Sequence, residues 1–225
     1  MKRLLTSTLA ALAMIGAAQA ADLIIEQPAV PAADSPAYWD GFYAGVVGGF
    51  GSGRVDYTDI GAIVAADPAI SGGMIGATLG YNTQFDNIVL GIEGDLSWAN
   101  LNGSLSNGAG VTFQSNVGWV GTLRGRIGVD LDPVLLYATA GLAAGSLTTT
   151  LDVPGATAYT ATHVGFAVGA GVEAMVTDDI SVKAEYLYLD LGTRDIPTGS
   201  LFAGSTANTA HPTAHTFRVG ANFHF

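Results

Sequence analysis

The sequence predicts an all-β fold, an eight-stranded antiparallel up-and-down transmembrane β-barrel with short turns at one end and long loops at the other. Three observations carry this reading. First, the final stretch AHTFRVGANFHF splits by parity: Phe217, Val219, Ala221, Phe223 and Phe225 form one set, and Thr216, Arg218, Gly220, Asn222 and His224 the other. Successive strand side chains point to opposite faces, so the strand is apolar outside and polar inside. Second, the punctuation of the chain alternates strictly between long and short connections, as in outer-membrane barrels. Third, charged residues make up only 12% of the chain, glycines number 31 and there is no cysteine. After the first twenty residues no apolar run is long enough for a membrane helix, so spanning segments must be strands.

The first segment sets the compartment. Met1, Lys2 and Arg3 form a positive start, Leu4–Ala17 is largely apolar, and Ala18-Gln19-Ala20 has the small-x-small pattern of a signal-peptidase site. Residues 1–20 are therefore a cleaved signal peptide. No Cys follows the site, which excludes a lipoprotein, and the lack of cysteines excludes a disulfide framework. Loss of Lys2 and Arg3 leaves six of the eight Lys and Arg against 19 Asp and Glu, a net charge of −13. That balance excludes nucleic acid as a partner. Residues 21–38 are rich in Pro and Ala without periodicity and read as an extended periplasmic leader.

The barrel is expected over residues 39–225. Its strands are Gly41–Phe50, Gly73–Thr83, Ile88–Leu101, Asn116–Asp130, Val134–Thr148, Thr162–Val176, Ile180–Asp190 and the terminal strand after Pro212. Loops 51–71, 102–115, 149–161 and 191–213 are long; the turns near Asp86, Asp132 and Asp178 are short. Leu90, Ile92, Leu96 and Trp98 oppose Glu93, Asp95 and Ser97 on the third strand. Trp119, Leu123, Ile127 and Val129 oppose Thr122, Arg124 and Arg126 on the fourth. The sixth sets Val164, Phe166, Val168, Val172 and Val176 against His163, Gly165, Gly169, Gly171 and Glu173, and the seventh sets Ile180, Val182, Tyr186 and Tyr188 against Ser181, Lys183 and Glu185. The fifth (VLLYATAGLAAG) is apolar on both parities, leaving its faces open. Trp98, Trp119, Tyr186 and Tyr188 lie toward the loop ends, where an interfacial aromatic girdle belongs.

Collected over the strands, the polar face holds Glu93, Asp95, Glu173 and Glu185 against Arg124, Arg126, Lys183 and Arg218. Eight strands leave an interior just wide enough for side chains to fill, so these charges must pair. Neighbouring strands bring Glu93 and Asp95 to Arg124 and Arg126, and Glu185 to Arg218. Such a set is either a structural plug of salt bridges, the reading favoured here, or an ion path.

The motifs GFYAGVVGGFGSG, RGRIGVD, LLYATAGLAAG, KAEYLYLDLG and FRVGANFHF, in this order over residues 38–225, resemble the small outer-membrane β-barrel family of alphaproteobacteria. These porin family proteins include surface antigens and some haemin-binding members, and their architecture is similar to the OmpA-type membrane domain. The resemblance implies a Gram-negative outer-membrane location and a role in envelope integrity and surface display, amid outer-membrane lipid and lipopolysaccharide, with no peptidoglycan-binding domain expected. It also implies that Phe217, Val219, Phe223 and Phe225 form the signal read by the barrel-assembly machinery.

His211 and His215 with Tyr159 are the candidates for haem at the loop end, while His163 and His224 fall on the polar face. Ser200 and Ser205 lie near the loop histidines without triad spacing, so no catalytic residue is expected. Gly169-x-Gly171 lies inside a strand with no following helix and is no nucleotide loop. Asp56, Asp59, Asp67, Asp152 and Asp195 outnumber Arg54 and Arg194 in the loops, an acidic rim without metal-ligand spacing. No cofactor or metal is expected. A small pore is the alternative to the structural reading.

Overall fold

The computed structural model describes residues 39–58, 68–106, 112–152, 154–201 and 208–225. The expected signal peptide (1–20) and leader (21–38) lie outside them, as do Asp59, Asp67 and Ser205. Within the described residues the chain forms β1 (Gly41–Thr58), β2 (Ala69–Phe85), β3 (Ile88–Ser106), β4 (Thr112–Asp130), β5 (Val134–Leu151), β6 (Tyr159–Met175), β7 (Ile180–Asp190), β8 (Arg194–Ile196) and β9 (Asn208–His224). Consecutive long strands pair antiparallel, and β1 pairs with β9 from Tyr43↔His224 to Thr58↔Thr209, closing the ring. The barrel thus has eight long strands, as expected. The unexpected three-residue β8 pairs only with the loop-side end of β9 in the ladder.

The short turns lie where the sequence places them. Phe85 pairs with Ile88, so Asp86-Asn87 is a two-residue connection, and Asp86 takes the positive φ of 52° that primed hairpin turns require. The other end differs from expectation. Several strands run 17–19 residues, longer than the sequence predicts, so much of the predicted loops 51–71, 102–115, 149–161 and 191–213 is strand. The reason is a change of solvent along each strand. On the outward face of β3, Leu90, Ile92, Leu96 and Trp98 give way to Asn100, Asn102, Ser104 and Ser106. On β5, Leu136 to Ala144 give way to Ser146, Thr148 and Thr150. A lipid-facing strand segment needs roughly 9–11 residues, the length of Ile88–Trp98. The remainder is a water-exposed extension whose ladder continues without an apolar outer face.

The inner face changes in the opposite sense. Beneath the loops the interior is apolar, packed by Val55, Ile70, Leu101, Phe113, Leu147 and Leu187 among others. At mid-height it is charged. At the turn end a second apolar cluster joins Trp39, Val89, Leu135 and Tyr137. Trp39 precedes β1 and is fully buried, its indole N–H donating to Asp130 Oδ1 at 3.1 Å. The ambiguity of β5 is settled: Leu135, Tyr137, Thr139 and Ala143 are buried, while Leu136 and Leu142 are exposed. β4 carries an irregularity that parity reading missed. Its register shifts between Val117 and Val120, and the buried set changes from Phe113, Ser115 and Val117 to Val120, Thr122, Arg124 and Arg126. A bulge at Gly118-Trp119 switches the parity.

These face assignments predict a depth-dependent response to charge. Leu123→Arg, in the middle of the apolar band, should cost about 2–4 kcal/mol of stability in lipid, whereas Asn102→Arg above the band should cost about 0–1 kcal/mol. Urea unfolding from vesicles, followed by the unheated-versus-boiled gel shift, checks both.

Candidate functional site within the barrel

The mid-height interior is built from alternate residues of β3, β4, β6, β7 and β9. Strand parity alone sends Glu93, Asp95, Arg124, Arg126, Glu173, Lys183, Glu185 and Arg218 inward, and all eight are buried. The ladder sets Glu93 beside Arg124, Glu173 beside Lys183 and Glu185 beside Arg218. Arg124 is the hub. Its guanidinium reaches Glu93 at 2.6 Å, Asp95 at 3.1 Å and, on the opposite wall, Glu185 at 2.9 Å. Arg218 contacts Glu185 on its neighbour strand and crosses to Asp95 at 2.8 Å. Lys183 Nζ crosses to Glu93 at 2.7 Å. Arg126 lies 3.8 Å from Glu93, and its short contact, 2.7 Å, is to Glu173 on β6.

The expected neighbour pairs Glu93–Arg124, Asp95–Arg124 and Glu185–Arg218 therefore form. The pairing is corrected in one respect: Arg126 turns mainly to Glu173, and Asp95 takes Arg218 as its second partner. Eight strands make a ring narrow enough for an arginine to reach past its neighbour strand, so partners two or more strands away compete with adjacent ones.

Several uncharged members went unnoticed in the sequence. Tyr43 donates to Glu93 at 2.8 Å and accepts from Arg126 at 3.0 Å. Tyr137 donates to Glu185 at 3.1 Å, and its ring faces the Arg126 guanidinium 4.2 Å from the centroid, a cation–π contact. Inward parity was the signal that could have found both. They lie flat against the wall because Gly80 and Gly171 stand opposite them; a methyl group at either position would overlap the phenol ring. Thr122 donates to Asp95, and Asn222 to Glu173 at 2.6 Å.

At the turn end, Ser181, His224 and Glu173 come together. The Ser181 hydroxyl donates to Glu173 Oε1 at 2.6 Å and stands 2.9 Å from His224 Nε2. This is not a nucleophile's arrangement. A catalytic histidine accepts the serine proton, whereas this serine gives its proton to the carboxylate. Ser181 is also fully buried.

The haem candidates are not brought together. His211 and His215 lie within β9 rather than flanking its loop, because the strand begins at Asn208. His215 is exposed on the outer face, 2.6 Å from the Tyr186 hydroxyl and packed on Tyr188, and His211 meets Asp190 at 2.9 Å. Tyr159 instead packs against the interior apolar cluster. Among the described residues no group of three or more acidic, His or Cys side chains could hold a metal ion.

A closed ring with an apolar outer band, a charged centre and an aromatic belt defines an integral outer-membrane β-barrel. The outer membrane protein beta-barrel domain model matches residues 7–225, and the chain belongs to that family. It is 32% identical to the 31 kDa outer-membrane immunogenic protein of Brucella melitensis over the whole of both chains. It is 35% identical to the 25 kDa outer-membrane immunogenic protein of the same species, covering 100% of this chain and 99% of that one. Identity to the 22 kDa outer membrane protein of Rhizobium leguminosarum is 36%, over 82% and 78% of the two chains. Among solved structures, the outer membrane protein OprG of Pseudomonas aeruginosa superposes with a TM-score of 0.51 at 15% identity, covering 84% of this chain and 99% of that one, a likeness of fold alone. These relatives fix the Gram-negative outer membrane as the location.

Removing the hub should be costly. Arg124→Ala leaves three carboxylates short of a partner and is expected to lower stability by about 3–5 kcal/mol, the cost typical of breaking a buried ion pair. Urea denaturation of the refolded variant measures this.

Proposed function

We propose that the protein is a non-conducting, non-enzymatic structural barrel that supports the integrity of the outer membrane and displays its loops at the cell surface. The observation that carries this reading is the filling of the interior at three levels. Trp39 and Leu135 occupy the turn end, the paired charges the middle, and the apolar cluster around Leu101, Phe113 and Leu147 the loop end. A channel needs a continuous polar path, and the packed apolar layer beneath the loops interrupts one, with Trp39 filling space at the turn end. Surface display draws support from the relatives, two of which are named immunogenic proteins of the outer membrane.

Two partners complete the proposal. Exposed Phe217, Val219, Phe223 and Phe225 face lipid on the terminal strand and would present the signal to the barrel-assembly machinery. The outer band, which includes Phe42, Ile75, Leu123 and Phe166, would hold the protein among lipid and lipopolysaccharide.

The test is conductance across a planar bilayer containing refolded protein whose gel shift marks it as folded. The proposal predicts silence or rare brief openings. Steady, reproducible steps would overturn it in favour of a small pore lined by Glu93, Asp95, Arg124 and Arg126.

A further inference from the structure

Above the aromatic belt, the outer wall of β2 to β5 carries a concave cavity of about 630 Å³, within the roughly 300–1,000 Å³ typical of ligand clefts. Its lining includes Asn102, Ser104, Gln114, Asn116, Thr148 and Thr150. All six belong to the outward set of their strands, and none of the ten lining residues is Asp, Glu, Lys or Arg. In a chain with 19 acidic residues, a neutral patch of amides and hydroxyls of this size is distinctive.

The amides are already ordered. Asn116 Nδ2 donates to Asn102 Oδ1 at 2.6 Å, and Asn102 Nδ2 donates to Asn100 Oδ1 at 2.8 Å, forming a chain across β3 and β4. Thr148 and Thr160 pair by their hydroxyls at 2.9 Å. Immediately toward the membrane, Trp98 and Trp119 stand opposite each other in the ladder, and Trp98 is 70% exposed.

We infer that this cavity is a binding site for a neutral saccharide, and that its occupant is the sugar headgroup of a glycolipid in the leaflet surrounding the barrel. Three physical arguments select it. A phosphate or other anion would find no cation to pair with, and a metal would find no carboxylate. Sugar hydroxyls both donate and accept, as do Asn and Gln side chains and Thr and Ser hydroxyls. Trp98, exposed on the same outer face just membrane-ward of the lining, offers an aromatic surface on which the C–H face of a second sugar unit can rest. The location chooses the source, since the cavity faces outward rather than upward and begins where the lipid-facing band ends. A headgroup of the same membrane lies there at very high local concentration. The inference rests on the outer-membrane placement and not on whether the barrel conducts, so a conducting protein would leave it intact.

The test uses the refolded chain in zwitterionic micelles, titrated with the deacylated, dephosphorylated and carboxyl-reduced, hence neutral, core oligosaccharide of a rough lipopolysaccharide. Tryptophan fluorescence and calorimetry follow binding. The parent is expected to bind saturably. The Gln114→Ala/Asn116→Ala variant, altered only on the outer face and showing the parent's gel shift, is expected to bind at least about tenfold more weakly, as loss of two hydrogen bonds implies. No saturable signal in the parent, or equal affinity in the variant, would overturn the site. Binding of maltoheptaose but not of the core oligosaccharide would overturn the headgroup assignment.

Discussion

The fold depends on charge balance within a closed ring. Four carboxylates and four cations are sealed at mid-height, and an unpaired ion there would cost several kcal/mol. Lateral pairs alone would leave each wall self-sufficient. The cross-ring contacts Arg124–Glu185, Arg218–Asp95 and Lys183–Glu93 instead tie distant walls together, and Arg126–Glu173 bridges β4 to β6 over the intervening β5. Inward glycines make this possible, because a wall lined by larger residues would exclude Tyr43 and Tyr137, which brace the arginines.

The barrel behaves as two stacked objects. Within the membrane it is apolar outside and charged inside. Above the membrane it is polar outside and apolar inside, like a water-soluble barrel, with Val55, Ile70, Phe113 and Leu147 as its core. The inversion follows from solvent: each face takes the chemistry its surroundings reward, while the strands themselves run on through both levels. Trp98 and Trp119 mark the height of the change, and the bulge at Gly118-Trp119 sits at the same level.

Much of this was legible in the sequence because one rule, the two-residue alternation, governs the lipid-facing band. That rule, with the turn residues between strands, gave the strand count, the turns at Asp86, Asp132 and Asp178, and the eight charged members of the network, but not Tyr43 or Tyr137. It failed wherever alternation carries no contrast. The extension of β1 through Ser52, Arg54 and Tyr57 mixes polar and apolar residues on faces whose meaning has inverted, so it reads as loop. β5 is apolar on both faces because Ala fills either side. The bulge in β4 hides behind a glycine. Partners on non-adjacent strands depend on strand tilt and shear, which no local pattern encodes, and so Arg126–Glu173 could not be foreseen. Trp39 was expected only as the start of the barrel, and its role as a stopper at the turn end depends on where the chain enters.

The most direct test of the account is a double-mutant cycle on Asp95 and Arg218, which sit on β3 and β9, strands that are not neighbours in the ring. Unfolding free energies of Asp95→Asn, Arg218→Met and the double variant would be measured in the same vesicles. A cross-ring bond predicts a coupling energy within the range of about 0.5–3 kcal/mol seen for directly contacting residues. A coupling near zero, with the two single effects simply adding, would mean that the walls are held by lateral pairs alone and would contradict the account.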